Sequence, residues 1–477
     1  MQNYGLGRGK WVFVDWMGVE PGYGTAWGGG RGTGWCVPQG IELKVHPPAV
    51  DPNPAILPDR PWEASYLSPY ASFIQADGVY RCWYENGIPG TSFGLAYAES
   101  ADGLTWHKPD LGLVEWKGSR QNNLVKIYPR PLGIGVFQDP LAPPSERYKM
   151  VWCLWTETQR QVLGAISPDG LHWTDLEKPL LDDQHSDVQN IALYDEDLGQ
   201  YVLYTRQRDG VMGRRGVNRT ASENFRHFPP SVPVLENDPL DPPDFDIYCN
   251  GYSRWPGATD AHLMRLSMYE RTSDAINVHL ATSRDGIIWH RPLGRMPWLA
   301  PAASNQNPYM STYACAGIIP TAAGEWSSYL GVIRYGHNED KHPGGDAERI
   351  SEAAESGILR AVVREDGFTS LASRGRGEFW TVPFELDTDC IRLNMRALYS
   401  GHVRCQILAS SPAEVGSETK FIDSIEGYTL NDCQPLAGDH IDAPLTWKGG
   451  ADLSHLRGRT VRLHFDLYKA NLYAIRF

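Results

Sequence analysis

The pattern Ser-x-Asp-Gly-x-x-Trp is written three times in this chain. It occurs as Ser100-Ala-Asp102-Gly103-Leu-Thr-Trp106, Ser167-Pro-Asp169-Gly170-Leu-His-Trp173 and Ser283-Arg-Asp285-Gly286-Ile-Ile-Trp289. A worn copy, Ser222-Glu-Asn224-Phe225-Arg-His-Phe228, falls between them, and a truncated one, Arg364-Glu-Asp366-Gly367-Phe368, follows. Asp-Gly is a tight-turn pair, because Gly accepts positive φ and the Asp carboxylate bonds nearby amides. The Trp three residues later is a large apolar side chain on the next strand. Each copy therefore predicts a hairpin corner pinned by an aromatic.

The copies stand roughly 55 to 80 residues apart, each preceded by runs of β-branched and aromatic residues, the period of four-stranded propeller blades. Five corners predict an all-β fold: a five-bladed β-propeller over 61–373. From about Arg374 the corner stops, and Glu378-Phe-Trp-Thr-Val-Pro-Phe, Ile391-Arg-Leu-Asn-Met-Arg and Val461-Arg-Leu-His-Phe-Asp-Leu alternate apolar with polar. That texture predicts a C-terminal β-sandwich over 374–477. Residues 1–60 read as an N-terminal strand, Trp11 to Trp16, and an arm rich in Gly and Trp, too poor in motif to be a phosphate cradle. A content of 17 Trp, 23 Tyr, 48 Gly and 35 Pro agrees with strands and turns more than with helix bundles.

A net charge of -13 argues against nucleic acid, whose backbone would be repelled, and leaves a neutral substrate as the easier partner. The eight cysteines lack C-x-x-C spacing and read as reduced, buried thiols. No metal or other cofactor is expected. The N-terminus has no basic start followed by an apolar run, and no stretch approaches the ~18 apolar residues of a membrane span, so a cytoplasmic chain without membrane contact is the expectation. A homo-oligomer is left open.

In a propeller the innermost strands line a central channel, so carboxylates on those strands converge. Asp139, Asp187, Asp246 and Glu63 are the candidates, and several carboxylates at one opening imply general acid and base work. His185 stands two residues before Asp187, where it would tune the acid or meet a sugar hydroxyl. Trp62, Tyr66, Tyr248 and Tyr313 are candidate stacking platforms for a sugar ring. Asn250 and Arg254 complete the expected substrate contacts.

With its five corners, an Asp139-Pro140 step in the second blade and a trailing sandwich, the chain resembles the furanosidases of glycoside hydrolase families 32 and 43. Trp11-Val-Phe-Val-Asp15, Pro58-Asp-Arg-Pro-Trp62-Glu63 and the closing Trp447-Lys-Gly-Gly-Ala-Asp-Leu are similar to bacterial proteins described as similar to the family 32 N-terminal domain. The resemblance implies three carboxylates serving as nucleophile or base, transition-state stabiliser and general acid. Phe137-Gln-Asp139-Pro140 matches the stabiliser's motif with Gln138 in place of Arg, while the Glu-Cys motif around the family's acid and its first-blade signature are missing. The expected roles are Asp187 as acid, Asp246 or Glu63 as nucleophile or base, and Asp139 as stabiliser. The function expected is a glycoside hydrolase acting on a small saccharide or chain end, a furanoside among the candidates. A phosphorylase or transferase on the same fold, and a carbohydrate-binding propeller without catalysis, are the alternatives.

Overall fold

The computed structural model describes residues 6–21, 37–63, 67–88, 93–128, 131–156, 160–182, 184–210, 213–292, 295–299, 309–338, 356–410 and 422–477. Tyr66, most of the Gly- and Trp-rich arm and the acidic part of the loop after Asn338 lie outside them. Among the described residues the antiparallel pairing groups into five units, two of them separate four-stranded sheets and three joined by single parallel bridges into one sheet of thirteen strands. The first is Leu67–Ala76, Val79–Gly87, Phe93–Ser100 and Leu124–Tyr128. The second is Pro131–Gln138, Tyr148–Trp155, Arg160–Ser167 and Thr174–Asp175. The third is Ile191–Asp195, Gln200–Gln207, Gly216–Ser222 and Val232–Leu235. In the fourth, Phe245–Cys249 and Tyr252–Arg254 share the inner position beside His262–Glu270, Ala275–Ser283 and Trp289–His290. The fifth is Ser311–Ala322, Glu325–Ile333 and Ser356–Arg364, completed by Ala49–Val50 from far earlier in the chain.

The apolar core fills wedges between consecutive units. Leu95 and Tyr97 pack toward the second unit, whereas Ala96 and Ala98, on the opposite face of the same strand, pack toward the fifth. Side chains alternate across a strand, so a strand covered on both faces needs apolar residues in both registers, as Phe93–Ser100 has. Further wedges join units two and three, three and four, and four and five. The run of neighbours thus returns from the fifth unit to the first, where Ala316 also bridges Ser72 in parallel.

Each corner closes the third strand of its unit. In the three full copies the Ser hydroxyl accepts from the Gly amide at 2.9 Å. The Asp carboxylate accepts from the two amides that follow the Gly. The Gly carbonyl then faces the preceding unit and is met by an aromatic donor: Trp83 Nε1 reaches Gly170 O at 2.7 Å, Tyr204 OH reaches Gly286 O at 2.7 Å, and Tyr329 OH reaches Gly103 O. Glycine is required twice over at Gly170, because φ is 78° and a Cβ would stand 2.5 Å from the Trp83 ring. Gly170→Ala is expected to cost about 2–4 kcal/mol, from left-handed strain plus overpacking. A shift in the urea midpoint equivalent to less than about 1 kcal/mol would show that the clasp contributes little to stability.

The remaining strands form one hydrogen-bonded sheet of eight, built on Thr369–Trp380, Arg392–Ser410 and Thr460–Arg476. Register shifts at Ser373/Arg376 and Ala397/His402 interrupt the long pairings, and Trp11, Phe379, Phe465 and Trp447 lie in its core. Lys10–Val12 and Glu42–Val45 pair into this sheet. Residues 1–60, expected as an N-terminal strand and an arm, supply short strands to both bodies, and strands of two to four residues gain their stability from partners.

Candidate active site

Side chains from the first, third, fourth and fifth units meet in one further buried cluster: Tyr70, Val188, Tyr248, Cys249, Tyr269, Ile276 and Tyr313. Tyr70, Tyr248 and Tyr313 lie on inner strands and Val188 just before one, away from the hairpins that follow, while Tyr269 reaches the same end from the close of the fourth unit's second strand, where it pairs with Asp246; that end is called the mouth below. Tyr248 is the centre of the aromatic floor, with Tyr269 and Tyr313 at ring separations of 6.2 and 5.9 Å, both edge-on. His337 closes over it, its ring 4.6 Å from Tyr248 and its Nδ1 2.9 Å from the Tyr313 hydroxyl.

Asp187 stands at this rim, just before Ile191–Asp195. Its carboxylate meets the Arg206 guanidinium, which is 3 % exposed and lies 4.3 Å over the Tyr248 ring. His185 Nε2 is 3.5 Å from the same oxygen, and Arg208 bonds the His185 ring. Burial alone would raise the Asp187 carboxyl, but the Arg206 charge and then His185 outweigh it and hold Asp187 below the ordinary carboxylate range. The Arg215 guanidinium also covers Tyr248, at 4.8 Å. Asp246 accepts two 2.9 Å bonds from Arg271 and one of 3.1 Å from the Arg215 amide. Asp274 accepts from the Tyr269 hydroxyl at 2.8 Å and from the Asn338 amide at 2.7 Å.

Of the residues expected from sequence, the structure brings Asp187, His185, Tyr248 and Tyr313 together, with Asp246 beside them. Five others go elsewhere. Asp139 follows the far end of Pro131–Gln138, buried against Lys149 at 3.0 Å and the Tyr201 hydroxyl at 2.7 Å. Its Asp-Pro step opens a hairpin, so the match to the stabiliser motif does not place it at the mouth. Glu63 is wholly buried, with both oxygens taken by Lys108 at 2.8 Å, one by the Tyr84 hydroxyl and the other by the Arg60 amide. Trp62 donates to Asn123 beside the first unit's outer strand. Arg254 sits on the far hairpins, paired with Asp195 and Asp197. Asn250 caps the irregular step in its own strand, accepting from the Tyr252 amide at 3.0 Å. The role expected of Asp187 changes as well: a carboxyl held below the ordinary range is ionised, and an ionised group is not a proton donor.

The reading of inner strands alone passed over Arg206 and Arg215, which reach the mouth from the second strand of the third unit and the loop after it. It also passed over Glu85, on the second strand of the first. A signal existed for Glu85: it lies two residues beyond Trp83 and so shares that residue's face, toward the second unit. Its Oε2 accepts from the Gly133 amide at 3.0 Å. A Cβ on Gly133 would stand 1.6 Å from the Val188 carbonyl, the neighbour of Asp187.

Burial pushes the Glu85 carboxyl up from 4.5 to about 7, against hydrogen bonds from Ser68 and the Ile134 and Gly133 amides. The folded state therefore keeps a proton that the unfolded chain releases between those values, and stability falls as pH rises through that window, by about 3 kcal/mol in all. Glu85→Gln is expected to match the wild type near about pH 5 and exceed it near about pH 8 in urea unfolding. An unchanged pH slope would show that Glu85 is ionised in the fold.

Among the described residues no group of three His, Cys, Asp or Glu side chains is placed to hold a metal ion, and no helix is long and apolar enough to cross a membrane. No family model matches the chain, and no curated protein matches its sequence. Solved structures do resemble it. A thermostable family-43 glycoside hydrolase is 13% identical over 68% of this chain and 95% of its own, with a TM-score of 0.45. An α-L-arabinofuranosidase of Podospora anserina in complex with cellotriose is 14% identical over 68% and 97%, with a TM-score of 0.43. A structure reported with the family 130 mannoside phosphorylases and glycoside hydrolases targeting β-1,2 mannosidic linkages is 15% identical over 68% and 94%, at 0.39.

Proposed function

We propose that this chain cleaves a glycosidic bond of a small saccharide or chain end at the mouth, with the five units as blades of a propeller and the C-terminal sheet, folded as a sandwich, as its support. One observation carries the reading: Asp187, clamped by Arg206, stands at the rim of a floor of tyrosine rings. Rings take the apolar face of a sugar, and an ionised carboxylate beside them can attack the anomeric carbon or activate water. The candidate proton donor for the leaving oxygen is Glu85, near this end, whose carboxyl burial raises to about 7 so that a large share of it carries a proton near neutral pH. Asp246, with both oxygens engaged, positions the loop that carries Arg215.

The mouth also favours a second reading. Arg206, Arg208 and Arg215 gather on one side of it, and that much positive charge suits phosphate in place of water as acceptor. A screen of aryl furanosides and pyranosides, with and without inorganic phosphate, tests both. Turnover that needs phosphate selects the phosphorylase. Turnover without it selects the hydrolase. Saccharide binding with no turnover of any substrate would leave a carbohydrate-binding propeller.

A further inference from the structure

A cavity of about 560 Å3 lies on the other side of the strand that carries Asp246. Phe245 lines it, and as the preceding residue on Phe245–Cys249 it points to the sheet face opposite to Asp246. Its size falls within the ~300–1,000 Å3 of small-molecule sites. On its floor His279 is 4 % exposed and Asn277 5 %. Neither ring nitrogen of His279, nor Asn277 Oδ1, meets a hydrogen-bond partner of good geometry among the described residues, although the Arg295 main chain runs alongside the ring. Buried polar atoms are rarely left in that condition, because each costs about 1–3 kcal/mol.

We propose that this cavity is a second binding site, for one small neutral molecule bearing adjacent hydroxyls, a saccharide unit or a polyol, held by His279 and Asn277. The charge of the lining selects that class. Arg291 pairs with Asp241 at 2.5 Å, and Arg295 pairs with Asp241 at 2.8 Å and with Asp238, which stands behind the lining, so two cations and two anions offset one another. Little net charge remains to draw in an ion.

Burial, and then the Arg291 charge, lower the His279 pKa to about 4. The neutral ring thus offers one donor and one acceptor, and the Asn277 oxygen a further acceptor, a set that hydroxyls satisfy from both sides. Phe245 supplies the plane for a C–H face. Leu240, 78 % exposed, lines the same cavity and makes its rim accessible to mutation. The assignment stands on this lining and is independent of the chemistry proposed for the mouth.

The test uses the full chain carrying Asp187→Asn, so that nothing is turned over, and titrates methyl xylopyranoside, methyl mannopyranoside and sorbitol by calorimetry and saturation-transfer NMR. Acetate and methylammonium serve as charged probes. At least one neutral probe is expected to bind, and His279→Leu is expected to weaken it at least about tenfold, a loss of about 1.4 kcal/mol. Glycosides binding without sorbitol would identify a sugar ring as the ligand, and sorbitol binding as well would identify the hydroxyl pair alone. Leu240→Trp, on the exposed rim, gives the same loss through occlusion and carries the test should His279→Leu misfold. Binding unmoved by either variant, or tighter binding of acetate or methylammonium than of every neutral probe, would overturn the proposal.

Discussion

Asp187→Asn is expected to lower glycoside turnover by about a thousandfold or more, the scale on which general acid–base and nucleophilic groups act. Asn keeps the shape and still accepts from Arg206, but it has neither the charge to stabilise a cationic sugar nor the basicity to activate water. Added azide is expected to restore part of the rate if the carboxylate acts as nucleophile or base, and none if it only positions Arg206. The pH profile carries the same information. Arg206 holds Asp187 low, so activity falls on the acid side only as pH drops below the ordinary carboxylate range. Burial holds Glu85 near about 7, so activity falls on the alkaline side as its proton leaves, and Glu85→Gln is expected to remove that limb along with most of the rate. A loss of less than tenfold in Asp187→Asn would take Asp187 out of the chemistry.

The largest effect on stability is expected at Asp366, the acid of the truncated fifth corner. It is fully buried, and it accepts from Lys10 Nζ at 2.7 Å, Trp255 Nε1 at 3.0 Å, Arg476 Nη2 at 2.9 Å and Asn394 Nδ2 at 3.2 Å. Those donors come from the N-terminal strand, the fourth unit and two strands of the C-terminal sheet, so one carboxylate ties all three regions to the fifth unit. Asp366→Ala leaves two cations facing a buried void, and removing one member of such a buried set costs about 3–5 kcal/mol. Urea unfolding is expected to show that loss and to separate into two transitions as the C-terminal sheet and the units lose their common anchor. A double variant with Lys10→Met is expected to recover part of it, because the stranded cation is itself a cost. A single transition shifted by less than about 1 kcal/mol would show that the apolar wedges alone hold the bodies together.

The corner motif was legible because its chemistry is local. Serine, aspartate and glycine act on amides two and three residues away, so the turn at Asp169-Gly170 follows from its own residues. The fifth copy shows the limit of that logic. Arg364-Glu-Asp366-Gly367-Phe368 reads as a damaged corner, yet its aspartate anchors the N-terminal strand and the C-terminal sheet. Its aromatic partner, Trp255, donates to that carboxylate where the full corners offer a glycine carbonyl.

The site divides in the same way. Asp187 and Tyr248 belong to the starts of inner strands, a position the repeat itself marks. Asp139 sits in an equally suggestive motif, but which end of its strand faced the mouth depended on where the Pro131–Gln138 pairing stopped. Glu63 was lost to Lys108, a partner 45 residues away. Glu85, Arg206 and His337 come from second strands and a loop.

By itself, then, the sequence determined the β class and the turn at each of the three full corners, since these rest on contacts within a few residues. The tertiary structure alone decided which carboxylates stay ionised, which are consumed by lysines and arginines, and which lie at the mouth. Charge interactions in a low-dielectric interior change steeply over a few ångströms, and partners such as Asp187 and Arg206, 19 positions apart, or Glu63 and Lys108, 45 apart, come that close only in the folded chain.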